Sequence, residues 1–168
     1  MDRDRSQEPS NSFVPEVLAA IVFLGIAATP FVIPKFARGR SVGNGTRAIG
    51  TLKTIGMAQS LFREADKESD GNLDYGTLAE LATAGRLGLV DSILGSGTKN
   101  GYFFEATYGS ATIEFIWFAT ARPALPGVTG HRYFCTNHEG VTYYTVNQPF
   151  RMNNVDCTVP AGATPVGR

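Results

Sequence analysis

One carboxylate, Glu16, stands near the head of the most apolar stretch of the chain, FVPEVLAAIVFLGIAATPFVIPKF, Phe13 to Phe36. An ionised carboxylate in hydrocarbon costs several kcal/mol unless it is paired, so an acid inside a membrane is a site for a cationic partner. At the headgroup level the same acid would only be a helix N-terminal charge that the dipole favours. The residue alone leaves both readings open. A second group, DKESDGNLDYGT, sets Asp66, Glu68, Asp70, Asn72 and Asp74 around Gly71, in the order of oxygen ligands and turn glycine found in an EF-hand calcium loop. Thr77 stands where that loop has its closing bidentate acid, and Glu68 is longer than the aspartate usual at its place. Two readings stand: a solvated acidic turn built on its Asp and Gly residues, and a weak calcium site that fixes the loop against the sheet.

Cys135 and Cys157 are the only cysteines. A pair in a small exported domain is most simply a disulfide, and the alternative is two unrelated buried thiols. In HRYFCTNH, His131, Cys135 and His138 offer three transition-metal ligands, but Cys135 has a better use in the disulfide. No Ser/His/Asp set, phosphate loop, zinc-protease spacing or paired carboxylates occur, so no enzyme is expected.

The elements that must carry these groups begin with the apolar stretch. Val17 to Ile33 holds no ionisable side chain, and as a helix it would reach about 25 Å, marginal for a hydrocarbon core. Pro30, Pro34 and Lys35 follow it instead of the small residues of a secretory cleavage site. Lys35, Arg38 and Arg40 on its C-terminal side would, by the positive-inside rule, keep the rest of the chain in the cytoplasm. The cysteine pair points the other way, to an oxidising compartment. Among 168 residues, 15 basic balance 15 acidic, which leaves no basic field for nucleic acid.

After this stretch, Ala48, Leu52, Ile55, Ala58, Phe62 and Ala65 recur at steps of three and four and predict an amphipathic helix. Pro30, Pro34, Gly43 and Gly45 predict a hinge or loosened turn ahead of it. Thr77 and Glu80 have capping-box spacing before a short helix that Gly85 would stop. GYFFEATY (Gly101 to Tyr108), ATIEFIWFATA (Ala111 to Ala121), RYFCT (Arg132 to Thr136) and VTYYTV (Val141 to Val146) predict strands, joined as antiparallel hairpins. The tail from residue 159 to 168 is too poor in apolar surface to order itself.

The expected fold is α+β: a long N-terminal helix packed on a C-terminal antiparallel sheet of about four strands. The segments are a leader or cytoplasmic stretch 1–12, a membrane and assembly helix 13–36, an amphipathic continuation 37–67, a loop region 68–100, a sheet 101–158 and a tail 159–168.

An apolar N-terminal helix with an acid near its head, an amphipathic continuation and a sheet with a cysteine pair resembles type IV pilins and the pseudopilins of type II secretion systems. The resemblance implies an inner-membrane, single-pass subunit whose head faces the periplasm or exterior and which assembles into filaments with itself and related minor subunits. It implies cleavage by a prepilin peptidase between Ser12 and Phe13, where Ser12 replaces the usual Gly and Pro15 is a further departure. In that register Glu16 is the fourth mature residue and Pro34 falls at the family's kinking proline. In a second register, starting at Ser12, Glu16 is the fifth. The family further implies that Glu16 pairs with the N-terminal amine of a neighbouring subunit, and some pseudopilins use calcium. A reading from another class is a single-pass, membrane-anchored binding module that uses the sheet or the calcium-like loop to hold a ligand and never polymerises.

Overall fold

A computed structural model describes residues 13–65, 71, 73–109, 115–146, 148–150, 159 and 162–167, with side chains from residue 39 onward. The chain divides into two compact units, Met1–Ala37 and Arg38–Arg168. Helix α1 is assigned from Phe13 to Glu64. Among the described residues, no helix is long and apolar enough to cross a membrane; the side chains of the Phe13–Phe36 stretch lie outside that set.

Within the second unit, the expected stripe forms one wall of the core. Ala48, Leu52 and Ile55 are wholly buried, with Ala58 and Phe62 beside them in the same cluster. Burial of side chains the size of leucine, isoleucine and phenylalanine contributes about 1.5–3 kcal/mol each, which outweighs the weak intrinsic preference of this glycine-containing helix. Ala65 is a correction: it is exposed, because α1 ends at Glu64, one residue before the stripe would next repeat.

The residues expected to form a hinge or loosened turn carry helical backbone instead. Pro30, Pro34, Gly43 and Gly45 all fall inside α1. At Gly45 the reason is packing, since a Cβ there would meet the Tyr102 hydroxyl at 3.6 Å and the Phe134 ring at 3.7 Å. The missing side chain lets the helix backbone approach the aromatic face of the sheet, at the modest helix cost of a glycine.

The sheet is an antiparallel meander of six strands in chain order, rather than about four. They are β1 (Thr98–Lys99), β2 (Tyr102–Tyr108), β3 (Trp117–Pro123), β4 (Tyr133–Asn137), β5 (Thr142–Thr145) and β6 (Thr164–Pro165). Ala119 lies opposite Thr136 and Ala121 opposite Phe134, which fixes the face of every residue by alternation. Tyr102, Phe104, Ala106, Trp117, Ala119, Ala121 and Phe134 join the α1 stripe in the main core. Phe118 and Cys135 belong to the opposite face, where Phe150 shares their cluster and Val159 and Ala163 pack against it. The tail expectation is thus overturned in part, because Thr164 and Pro165 pair with Tyr144 and Tyr143. Residues 111–114, predicted as the start of a strand, lie outside the described residues.

Between helix and sheet run two short helices, α2 (Leu78–Thr83) and α3 (Ser92–Gly95). The capping box forms as its spacing requires: the Thr77 N–H donates to Glu80 at 2.6 Å, and the Glu80 N–H donates to the Thr77 hydroxyl at 3.4 Å. Gly85, at φ +65°, follows the Ala84 cap and ends the turn as expected. Asp91 caps α3 through the Leu94 N–H and pairs with Lys99. The Lys99 bond, then the Leu94 bond, hold its carboxyl below the ordinary value. Its small, solvent-screened contribution is present above the ordinary carboxylate range and is lost as pH falls through the lowered value.

Candidate functional site

Phe13 is the first residue of α1 and Glu16 lies in its first turns, with their side chains outside the described set; Ser12 is outside it altogether. Of the calcium candidates, Asp66, Glu68, Asp70 and Asn72 also lie outside the described residues. Gly71 has φ +85°, a conformation that favours glycine, at the position where the loop pattern expects its turn glycine. Asp74 is half-buried. Just beyond this stretch, Arg63 on α1 donates from Nε to the Leu73 carbonyl at 3.2 Å and stacks over Tyr75, 5.6 Å from the ring centre.

Cys135 sits mid-strand in β4, opposite Thr120 and Tyr143, with none of its surface exposed. As a thiol it is pushed up to about 12 by burial, which the Tyr143 backbone bond only partly offsets. Such a thiol is inert at neutral pH. Cys157 lies outside the described residues, but Val159, two positions on, packs against the cluster that holds Cys135. We expect the two cysteines to be joined, closing a loop of about 22 residues worth on the order of 3 kcal/mol. Mass spectrometry of protein from its native compartment, denatured and alkylated without reductant, checks this. Alkylation of both cysteines would contradict the bond and the exported location.

His131 and His138 are exposed at either end of β4, and the described residues contain no group of three metal-ligating side chains. RYFCT is placed as a strand, as expected, and both histidines fall beyond its ends, exposed, while Cys135 is buried in mid-strand.

Two features were not visible in the sequence. Gln59 is wholly buried on α1, and its amide makes both of its bonds to one residue. Nε2 donates to the Gly76 carbonyl at 2.6 Å, and Oε1 accepts from the Gly76 N–H at 3.0 Å. The backbone just before the Thr77 cap is thereby docked onto the long helix.

The second feature is a cavity of about 240 Å³ where α1 meets the ends of β2 and β4. Val42, Gly45 and Ile49 form its helix side, and Tyr102 and Phe134 its sheet side. The Tyr102 hydroxyl donates to the Arg132 carbonyl at 3.1 Å. Burial raises this phenol, so it stays a neutral donor. A Cβ on Gly130 would lie 2.1 Å from the same hydroxyl, so only glycine fits beside it. Exposed His131 and Arg132 complete the lining, with Arg132 stacked over Tyr144 at 4.8 Å from the ring centre. Only Arg132 among these could have been suspected from sequence, as a cation interleaved with aromatic residues.

No family model, curated protein or solved structure matches this chain.

Proposed function

We propose that this chain is the structural subunit of a type IV pilus-like or type II secretion pseudopilus filament. The N-terminal part of α1 holds the subunit in the inner membrane before assembly, and the sheet is the exported head. Cleavage between Ser12 and Phe13 by a prepilin peptidase frees an amine, and Glu16 receives the amine of a neighbouring subunit. The observation that carries the reading is a helix of 52 residues, of which the head uses only the C-terminal part for its core. Its first residues are the uncharged stretch after Glu16, long enough to reach about 25 Å.

Support also comes from the outward side of α1 in the second unit. Met57 and Leu61 are more than half exposed there, although they belong to a helix whose opposite side is packed in the core. Apolar side chains in that position gain from burial against a helix of another copy. Photo-cross-linking from this side of α1 in intact cells tests the proposal, since a polymer gives a repeating ladder and an anchored binding module gives none.

A further inference from the structure

The cavity between α1 and the strand ends has a chemistry of its own, independent of whether the chain polymerises. Its body is apolar: Val42 and Ile49 on the helix and Phe134 on the sheet line it, with Gly45 leaving room beside the Phe134 ring. Its polar groups are largely committed. The Tyr102 hydroxyl donates to a backbone carbonyl, and the Thr46 hydroxyl donates to the Val42 carbonyl at 3.3 Å within the helix. The groups left to meet a ligand's charge are the exposed Arg132 guanidinium and His131 imidazole, and the described lining contains no carboxylate to neutralise them. A guanidinium lying over the Tyr144 ring keeps its donors, which lie in its own plane in the fork that a carboxylate accepts. At about 30 Å³ per water-sized group, 240 Å³ has room for about eight such groups, the scale of one small ring with a short polar substituent.

We infer that this cavity is a binding site for a small organic anion, a carboxylate carrying a compact aromatic or branched apolar body, with the body between Ile49 and Phe134 and the charge at Arg132. This goes beyond the filament reading and does not depend on it. Pockets that combine an apolar body with a few convergent polar groups are the usual form of small-molecule sites, and this one lies just below their usual size range. A ligand of that size in an open cavity should bind with a dissociation constant of about 0.1 to 10 mM.

The test uses the full chain in lipid nanodiscs, with methyl groups of isoleucine and valine labelled for NMR. Benzoate is the probe, benzyl alcohol supplies the body without the charge, and inorganic phosphate supplies charge without the body. Benzoate should give saturable shifts at the Ile49 and Val42 methyls, with either control at least about tenfold weaker. Arg132 is exposed, so Arg132→Gln should keep the parent spectrum without ligand and lose most of the benzoate preference. No saturable shift at these methyls, equal binding of benzyl alcohol, phosphate binding as strong as benzoate, or unchanged affinity in Arg132→Gln would each overturn the assignment.

Discussion

Glu16→Gln should leave the head folded and abolish incorporation into filaments. The substitution keeps the shape of the side chain and removes its charge. In hydrocarbon, a positive amine left without its carboxylate partner is costly by several kcal/mol, enough to reduce assembly by orders of magnitude. The head should not respond, because Glu16 belongs to the Met1–Ala37 unit while the core is built from the stripe Ala48 to Phe62 and the sheet. The measurement is the amount of filament relative to subunit in cells, alongside a thermal melt of the purified full chain. Parent-like assembly by Glu16→Gln would remove the pairing from the account and leave Glu16 as an interfacial helix acid.

The second large effect is expected at Gln59. Replacing it by leucine keeps the bulk but strands the N–H and carbonyl of Gly76, a buried residue, without their partners. A buried polar group left unsatisfied costs about 1–3 kcal/mol, so the two together should cost roughly 2–6 kcal/mol. At about 4 °C per kcal/mol for a unit of this size, the midpoint should fall by roughly 8 °C or more. Gln59→Glu separates the two bonds, since a carboxylate can still accept from the Gly76 N–H but cannot donate to its carbonyl. It should also destabilise, because its charge is buried beside that carbonyl. If Gln59→Leu melts within a degree of the parent, the docking of the α2 entry does not depend on this amide.

The parts of this fold that were legible in the sequence are those with a period or a local rule. Steps of three and four placed Ala48, Leu52, Ile55, Ala58 and Phe62 on the buried side of α1, and the Thr77–Glu80 spacing located the start of α2. Four runs of aromatic and β-branched residues located β2 to β5. The two-residue strands β1 and β6 carry no periodic signal, because their pairing is imposed by neighbours already in the sheet. Gly45 reads locally as a helix breaker, and only the Tyr102 and Phe134 rings across from it show that it is there for close approach. Gln59 reads as one more polar helix residue, since a side-chain bond to backbone 17 positions away leaves no trace in the pattern. The cavity was hidden for the same reason: its walls come from residues 41 to 49, 102 and 131 to 134, which only the meander brings together.

The assembly claim is tested most directly by placing a photo-reactive phenylalanine analogue at Met57, 62% exposed on the outward side of α1, and irradiating intact cells that express the full chain. The account predicts a ladder of cross-linked products at successive multiples of the 18.0 kDa subunit mass, less the residues removed by processing, and its loss when Glu16→Gln is added. Monomer alone, or a single adduct that does not repeat, would contradict it.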